Sequence, residues 1–351
     1  MANPTNNGRM ATLDAVATEA GVSRATVSRV VNGSPKVSPD VRRTVERAIE
    51  RLGYVPNPAA RSLVTRRSDS IGVVITEPTD RLFNDPYFSR LLRGISTELA
   101  AQQLQLVLLM PEDAGEENRV ERYLGAGHVD GAILVSLHGA DPLPAHLLAR
   151  GFPLVVAARP PDGVQASYVD VDNRDGARAA VAHLVERGRR RIATITGPVD
   201  MPAGQDRLAG YRAALHDAGV AGLAADTTLE ASGDFTIEGG AQAMRALLDR
   251  RPDLDAVFAA SDLMAAGALG VLRAAGRRVP EDVAIVGFDD SPIAVTADPP
   301  LTSVRQPIEE MGRELVRLLL TDLRARTTVQ RHVILATRLV VRASTQGGSA
   351  R

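Results

Sequence analysis

Apolar residues recur at helical spacing through roughly the first fifty positions, then collect into short unbroken runs. In ATLDAVATEAGVSRATVSRVVN, residues Leu13, Val16, Ala17 and Ala20 share one helical face. Gly21 supplies a turn, and Ser23 is placed to cap a second helix. Set at roughly 100° per residue, that second segment divides into two arcs. Arg24, Ser28, Asn32, Ala25 and Arg29 lie on one; Thr26, Val30, Val27 and Val31 lie on the other. The second arc suits a core, and the first offers donors and two fixed positive charges to an outside partner. After the loop GSPKVS, Ser38 and Pro39 can start a third helix, with Val41, Val45, Ala48, Ile49 and Leu52 inward and Gly53 at its end. The pattern predicts a helix-turn-helix unit. YVPNPAARSLVTRRSDS follows, interrupted by Pro56 and Pro58. It leaves about seven residues for a helix before Thr65, too few to hold in isolation, and reads as a linker that orders only when held.

Beyond it, the runs IGVVIT, LQLVLLM, GAILVS, PLVVAA, YVDVD, RIATITG, AVFAAS and VAIVGFDD alternate with helical segments near 87–101, 117–126, 173–187, 206–219, 235–250 and 262–276. Strands apolar throughout and separated by helices indicate parallel sheets covered on both faces. Their number exceeds one comfortable sheet. The pattern predicts two sheets sharing a cleft, with the chain crossing near 170 and again near 301. The expected division is a headpiece over 11–56, a hinge helix and linker over 57–68, and a core over 69–344. The first subdomain of that core takes about 69–170 and 302–331, the second about 171–301 and 332–344. A short polar tail, 345–351, has no heptad pattern.

Charge changes this picture in one place. Residues 1–67 hold eleven Lys and Arg against five Asp and Glu, whereas the remainder holds thirty against thirty-seven. A basic head on an acidic body points the head toward a polyanion. Composition otherwise mainly excludes. The chain has no cysteine, so disulfide and thiolate chemistry are out of reach. No run approaches ~18 consecutive apolar residues, and the first ten residues lack the apolar stretch of a signal peptide, so a cytoplasmic protein is expected. No phosphate-binding loop of the GxxxxGK[ST] type is present. The six histidines, at 128, 138, 146, 183, 216 and 332, show no metal-ligand spacing. Neither an enzyme, a metal nor a cofactor is expected.

TLDAVATEAGVSRATVSRVVNGSPKVSPDVRRTVERAIERLGYVPNPAARSL resembles the headpiece and hinge of the lactose-repressor/galactose-repressor (LacI/GalR) transcription regulators. The likeness continues through GFDDSPIAVTADPPLTSVRQPIEEMGRELVRLLL to a C-terminal strand, ILATRLVVRAS. RLFNDPYF, SLHGADPLP, SYVDVDN, GPVDMPAG, GDFT and FAASDLMA are similar to segments of actinobacterial cellobiose-responsive repressors. The resemblance implies an all-α helix-turn-helix headpiece and an α/β core of two subdomains like periplasmic binding proteins. It also implies a homodimer on a pseudo-palindromic operator, and without a heptad tail no larger assembly is expected.

On that resemblance the second helix enters the major groove, where base edges carry a distinguishable code. Arg24, Ala25 and Arg29 occupy reading positions: each arginine can fork onto a guanine, and Ala25 can meet a thymine methyl. Ser23, Thr26, Ser28, Asn32, Lys36 and Ser38 are placed for phosphate contacts, which position without specifying, and Thr12 is a further DNA-binding candidate. Leu63 matches the hinge leucine that wedges into the minor groove, with Asn57, Ala60 and Arg61 beside it.

For a sugar, candidate grips sit at strand ends: Arg159, Arg207, Ser261, Asp262 and Asp289. Arg207 and Asp289 match ligand-binding positions of the family. Charged groups there are costly unless paired or bound to ligand, so interdomain ion pairs are the alternative for each. Tyr87 and Phe288 are nearby rings, and Phe83 and Phe235 are the favoured flat platforms for a pyranose face. The expected function is a repressor of sugar-utilisation genes that a saccharide, cellobiose or a related glucoside, releases from DNA. The alternative is a regulator of the same build answering to a nucleoside or nucleobase, including as corepressor.

Overall fold

The computed structural model describes residues 11–31, 33–55, 67–111, 114–139, 141–161, 163–219, 226–325 and 329–346. The chain divides into two compact units, 1–68 and 69–351.

The first unit holds three helices: α1 (Leu13–Ala20), α2 (Arg24–Val31) and α3 (Pro39–Leu52). Each boundary has a local cause. Thr12 caps α1 by accepting the Ala15 N–H at 3.2 Å. Gly21, in the left-handed region (φ 63°), ends it. Ser23 Oγ accepts the Thr26 N–H at 3.2 Å, starting α2. Val16, Val27, Val30, Val45, Ala48 and Tyr54 close a small core. The inner arc expected of the second helix is therefore the one that packs.

The second unit is two lobes built on one strand order. The chain runs through β1 (Ser70–Ile75), α4 (Thr79–Asn84), α5 (Pro86–Ala101), β2 (Gln105–Leu109), α6 (Ala114–Gly125) and β3 (Gly131–Val135). It continues through α7 (Leu143–Ala149), β4 (Leu154–Ala157), β5 (Ser167–Val171), α8 (Asn173–Glu186) and β6 (Ile192–Thr196). Next come α9 (Pro202–Asp217), β7 (Glu230–Ser232), α10 (Ile237–Arg250), β8 (Ala256–Ala259), α11 (Asp262–Ala274) and β9 (Ala284–Asp289). The last elements are α12 (Pro292–Thr296), β10 (Thr302–Arg305), α13 (Ile308–Ala325), β11 (His332–Leu335) and β12 (Arg338–Val340). The first sheet reads β2-β1-β3-β4-β5-β11 and the second β7-β6-β8-β9-β10-β12. All pairings are parallel except β10 with β12. In each sheet the order reverses between its first and third strands. Such a switch point opens a crevice at the carboxyl ends of the strands.

Two expectations about the crossings are corrected. The strand at 302–305 pairs with β9 in the second lobe, not in the first. ILATRLVVRAS is not one strand: β11 pairs with β5 in the first lobe, and β12 pairs with β10 in the second. The chain therefore passes between lobes three times, after β5, after β10 and after β11. Sheet membership follows from which edge is open, information that an apolar run does not carry.

Glycines bring neighbouring helices together. A Cβ on Gly94 would lie 2.2 Å from the Glu309 carbonyl oxygen, and one on Gly312 would lie 2.5 Å from that of Leu91. Helices α5 and α13 thus cross at backbone contact beneath the first sheet. Among the described residues no helix is long and apolar enough to cross a membrane.

Candidate functional site

The headpiece presents the outer arc of α2. Arg24, Ala25 and Arg29 are exposed, whereas Val27 and Val30 are buried. Arg24 Nη1 lies 3.5 Å from Asp14 Oδ2, both side chains mostly in solvent, a contact too screened to hold the arginine. The turn after α2 is fastened by Arg42, whose Nη2 donates to the Ser34 carbonyl at 2.7 Å. Lys36 and Ser38 stand exposed beside it, and Thr12 and Ser23 are exposed at the starts of α1 and α2. Thr26 and Ser28 are half-buried. Asn32 and the hinge positions Asn57, Ala60, Arg61 and Leu63 lie outside the described residues.

In the core, an inner cavity with about 730 Å³ of empty space, open solvent at its mouth included, lies between the lobes at the switch points. Its centre is Arg207, on α9 and 5% exposed. Its Nε–H donates to Asn173 Oδ1 at 2.9 Å, and Nη1 donates to the Ala260 carbonyl at 2.5 Å. Nη1 also lies 3.7 Å from Asp289 Oδ1. The guanidinium stacks 3.8 Å above the Phe288 ring centroid and 5.7 Å from that of Phe235. Burial presses its pKa downward, and Asp289 opposes that shift.

Asp289 ends β9 and accepts a 2.5 Å hydrogen bond from Gln306 Nε2. Burial holds its pKa well above the usual carboxylate range, against the pull of Arg207. Asp170, at the end of β5, accepts from the backbone N–H groups of Val171 and Arg159 and from Asn173 Nδ2. Burial nevertheless pushes it up to about 6. The inner cavity thus collects carboxylates, an amide and a guanidinium that are buried and held by hydrogen bonds, a chemistry suited to gripping hydroxyl groups. Four non-glycine residues in its wall have left-handed backbones: Ser136 (φ 58°), Ala158 (φ 93°), Phe235 (φ 65°) and Asp289 (φ 108°). Strained conformations of this kind collect at ligand clamps.

The GDFT turn shows how one platform is placed. Asp234 Oδ1 accepts from the Thr236 N–H and hydroxyl, and Thr236 in turn caps α10. Phe235 is thereby swung over Gly197, where a Cβ would come within 2.2 Å of its ring.

Tyr87, Arg159, Arg207, Phe235, Ser261 and Asp289 line the inner cavity. Three expected residues do not. Phe83 is 71% exposed because its neighbour Leu82 takes the inward position on α4. Asp262 is wholly buried, and its oxygens accept from the Ser303 hydroxyl (2.6 Å) and the Ser291 N–H (2.7 Å). It braces the turn after β9 and does not reach the cavity wall. Phe288 is also wholly buried and supports Arg207 from below. Sequence reasoning passed over Arg81, Asp85, Asp170, Asn173 and Gln306, which complete the cavity's polar lining. The signal available was position, since each lies near the carboxyl end of a strand or in the segment that follows it, within stretches already quoted.

A second compartment opens outward from the first. Arg81 and Phe235 line both, with the guanidinium 5.1 Å from the ring centroid. Buried Glu77 holds Arg81 with both carboxylate oxygens at 2.6 Å. His138 spans the lobes there, Nε2 3.2 Å from Glu77 Oε1 and Nδ1 2.9 Å from Asp200 Oδ2. The Glu77 and Asp200 hydrogen bonds raise its pKa against the effect of burial. No group of three or more metal-ligating side chains occurs among the described residues.

Comparison with known proteins accounts for both units. The model of "Bacterial regulatory proteins, lacI family" matches residues 12–57, and that of a periplasmic binding protein-like domain matches residues 181–345. The chain is 53% identical over 339 residues to the HTH-type transcriptional regulator CelR of Thermobifida fusca, covering 96% of this chain and 98% of that one. It is 36% identical over 342 residues to the HTH-type transcriptional repressor CytR of Escherichia coli (strain K12), covering 96% of each. A solved complex of transcriptional regulator CelR with cellobiose superposes with a TM-score of 0.76 at 51% identity, over 95% of this chain and 99% of that chain. The lac repressor dimer bound to operator and the anti-inducer ONPF gives 0.82 at 28% identity, over 97% and 100%. Likeness of this extent, running through headpiece and core alike, places the chain in the lacI family of bacterial regulatory proteins.

Proposed function

We propose that this protein is a transcriptional repressor of sugar-utilisation genes, held on its operator as a homodimer and released by cellobiose or a closely related glucoside. The observation carrying this reading is the identity of 53% to CelR across both functional units. The buried Arg207–Asp289–Asn173 cluster supplies the chemistry such a ligand requires. In this reading α2 lies in the major groove. Arg24 and Arg29 take guanines, Ala25 takes a thymine methyl, and Thr12, Ser23, Thr26, Ser28, Asn32, Lys36 and Ser38 meet the DNA backbone. Leu63 wedges the minor groove, flanked by Asn57, Ala60 and Arg61.

The ligand's hydroxyl groups are gripped by Arg207, Asp289, Asp170 and Asn173, with Phe235 and Tyr87 against its flat face. Filling the cleft favours one relative position of the lobes, and DNA affinity changes only as far as the sugar prefers that position. Coupling of ~1–3 kcal/mol would change operator affinity roughly 5–150-fold. No catalytic step is assigned to the chain. Calorimetric titration with cellobiose, glucose, cytidine and adenosine tests the effector class. Heat is expected from cellobiose and none from the nucleosides; the reverse would transfer the site to the nucleoside reading.

A further inference from the structure

His138 joins the two lobes beside the inner cavity. It follows β3 in the first lobe, where its Nε2 lies 3.2 Å from Oε1 of buried Glu77. Its Nδ1 lies 2.9 Å from Oδ2 of Asp200, which follows β6 in the second lobe. Next to this pair the Gly139 N–H donates to the Asp200 carbonyl at 3.0 Å. Leu137 and Met201, the chain neighbours of His138 and Asp200, line the inner cavity. The bridge therefore stands directly against the space assigned to sugar.

A neutral imidazole has one N–H and one bare nitrogen, and a carboxylate accepts without donating. Such a ring could bond one of its two carboxylates, and its bare nitrogen would set a lone pair against the other. Both contacts are hydrogen bonds only when the ring carries a second proton. Away from Asp200 the ring would keep Glu77 alone, which one N–H satisfies. The surroundings favour the cation. Arg81 is a positive group on the same wall, but both Glu77 oxygens hold it. Asp80 and Asp85 at α4, Asp141 beyond His138 and Asp234 of the GDFT turn add negative charge around the compartment.

We propose that His138 makes sugar binding proton-linked: a saccharide gripped by both lobes favours the bridged arrangement, which takes up a proton at this ring. The proposal rests on the saccharide reading of the inner cavity. Tyr87 and Asp170 reach that cavity from the first lobe, Arg207 and Asp289 from the second. A sugar among them holds the lobes together as the bridge does. Linkage is reciprocal, so acid strengthens sugar binding and, with it, release from DNA. Hydrogen bonds to Glu77 and Asp200 raise the His138 pKa. The bridge thus contributes fully below the ordinary histidine value of about 6.5 and is lost as pH rises through the raised value.

The test is calorimetric titration of the full chain with cellobiose at pH 7.5 in phosphate and in Tris, repeated on His138→Gln and Asp200→Asn. These buffers differ widely in ionisation enthalpy, so the difference in heat counts protons taken up. The unaltered protein should take up a fraction of a proton per sugar, and its affinity should fall about threefold or more from pH 6 to pH 8.5. An amide at position 200 can pair with a neutral ring, so Asp200→Asn should still bind cellobiose while losing most of the uptake. His138→Gln should lose it as well. Asp85, Asp170 and Asp289, whose pKa values burial raises, remain in both variants. Uptake that persists in the variants belongs to those carboxylates and overturns the proposal, as does binding without uptake in the unaltered protein. Absence of cellobiose binding at every pH would remove the saccharide reading and the proposal with it.

Discussion

Arg207 keeps a full charge at 5% exposure, and its neighbours explain how. Asn173, the Ala260 carbonyl and Asp289 each take part of the guanidinium, and Phe288 lies flat against it. Hydrogen bonds involving a charged group contribute about 1.5–3 kcal/mol. Arg207→Ala should therefore weaken cellobiose roughly 10–150-fold while leaving operator binding without sugar intact, as titration calorimetry and gel shift would show. Unchanged sugar affinity would take Arg207 out of the site. In the headpiece, Arg29→Ala should relax preference at one base pair per half-site, a loss of about 1–3 kcal/mol. Lys36→Ala should weaken all duplexes alike and flatten the salt dependence. A binding screen across a library of sites separates the two, and identical profiles would contradict the base-reading role. Residue identity was legible where a side chain's role follows from its place in a motif. Arg207 and Asp289 sit in QDRLAGYR and VGFDDS, and both line the inner cavity. Phe83 and Phe235 look alike in sequence, each a lone ring in a short polar segment after a strand. Only the strained Asp234–Thr236 turn aims one of them inward.

At the scale of elements, periodicity was a good guide and pairing was not. The arcs of α2 and the apolar strand runs follow from local spacing, because side chains on one helix face or one strand meet the same surroundings. The division of ILATRLVVRAS into β11 and β12 depends instead on two open sheet edges contributed by distant residues. Helix α13 escaped notice as a core element for a related reason. Its apolar stripe at Ile308, Met311, Leu315 and Leu319 is plain once seen, but which sheet it covers depends on the crossing after β10. The contact of α13 with α5 also yields a prediction. Gly94→Val would drive a branched side chain into the Glu309 backbone. Overpacking commonly costs ~1–3 kcal/mol, and rigid backbone at the contact places this variant at the upper end. Thermal denaturation should show a clear fall in melting temperature, and an unchanged transition would contradict so close an approach.

For the whole molecule, the lobes are joined by polar contacts across the cleft. His138 bridges Glu77 and Asp200 across it, and Arg159 Nη2 meets Asp206 at 3.3 Å. Because the folded environment raises the His138 pKa, its contribution is fully present below the ordinary histidine value of about 6.5. It is lost as pH rises through the raised value. Melting temperature should therefore fall more between pH 6 and pH 8.5 in the unaltered protein than in His138→Gln, by an amount limited by solvent screening. Equal falls would show that the bridge carries no proton linkage. The central claim is that a sugar held in the cleft governs the headpiece's grip on DNA. Fluorescence anisotropy tests it most directly, with a labelled duplex from upstream of the protein's own gene titrated with and without saturating cellobiose. The account predicts sequence-specific binding that cellobiose weakens at least fivefold, while glucose and cytidine leave it unchanged. Binding no tighter than to random duplex, or an affinity that cellobiose does not alter, would contradict it.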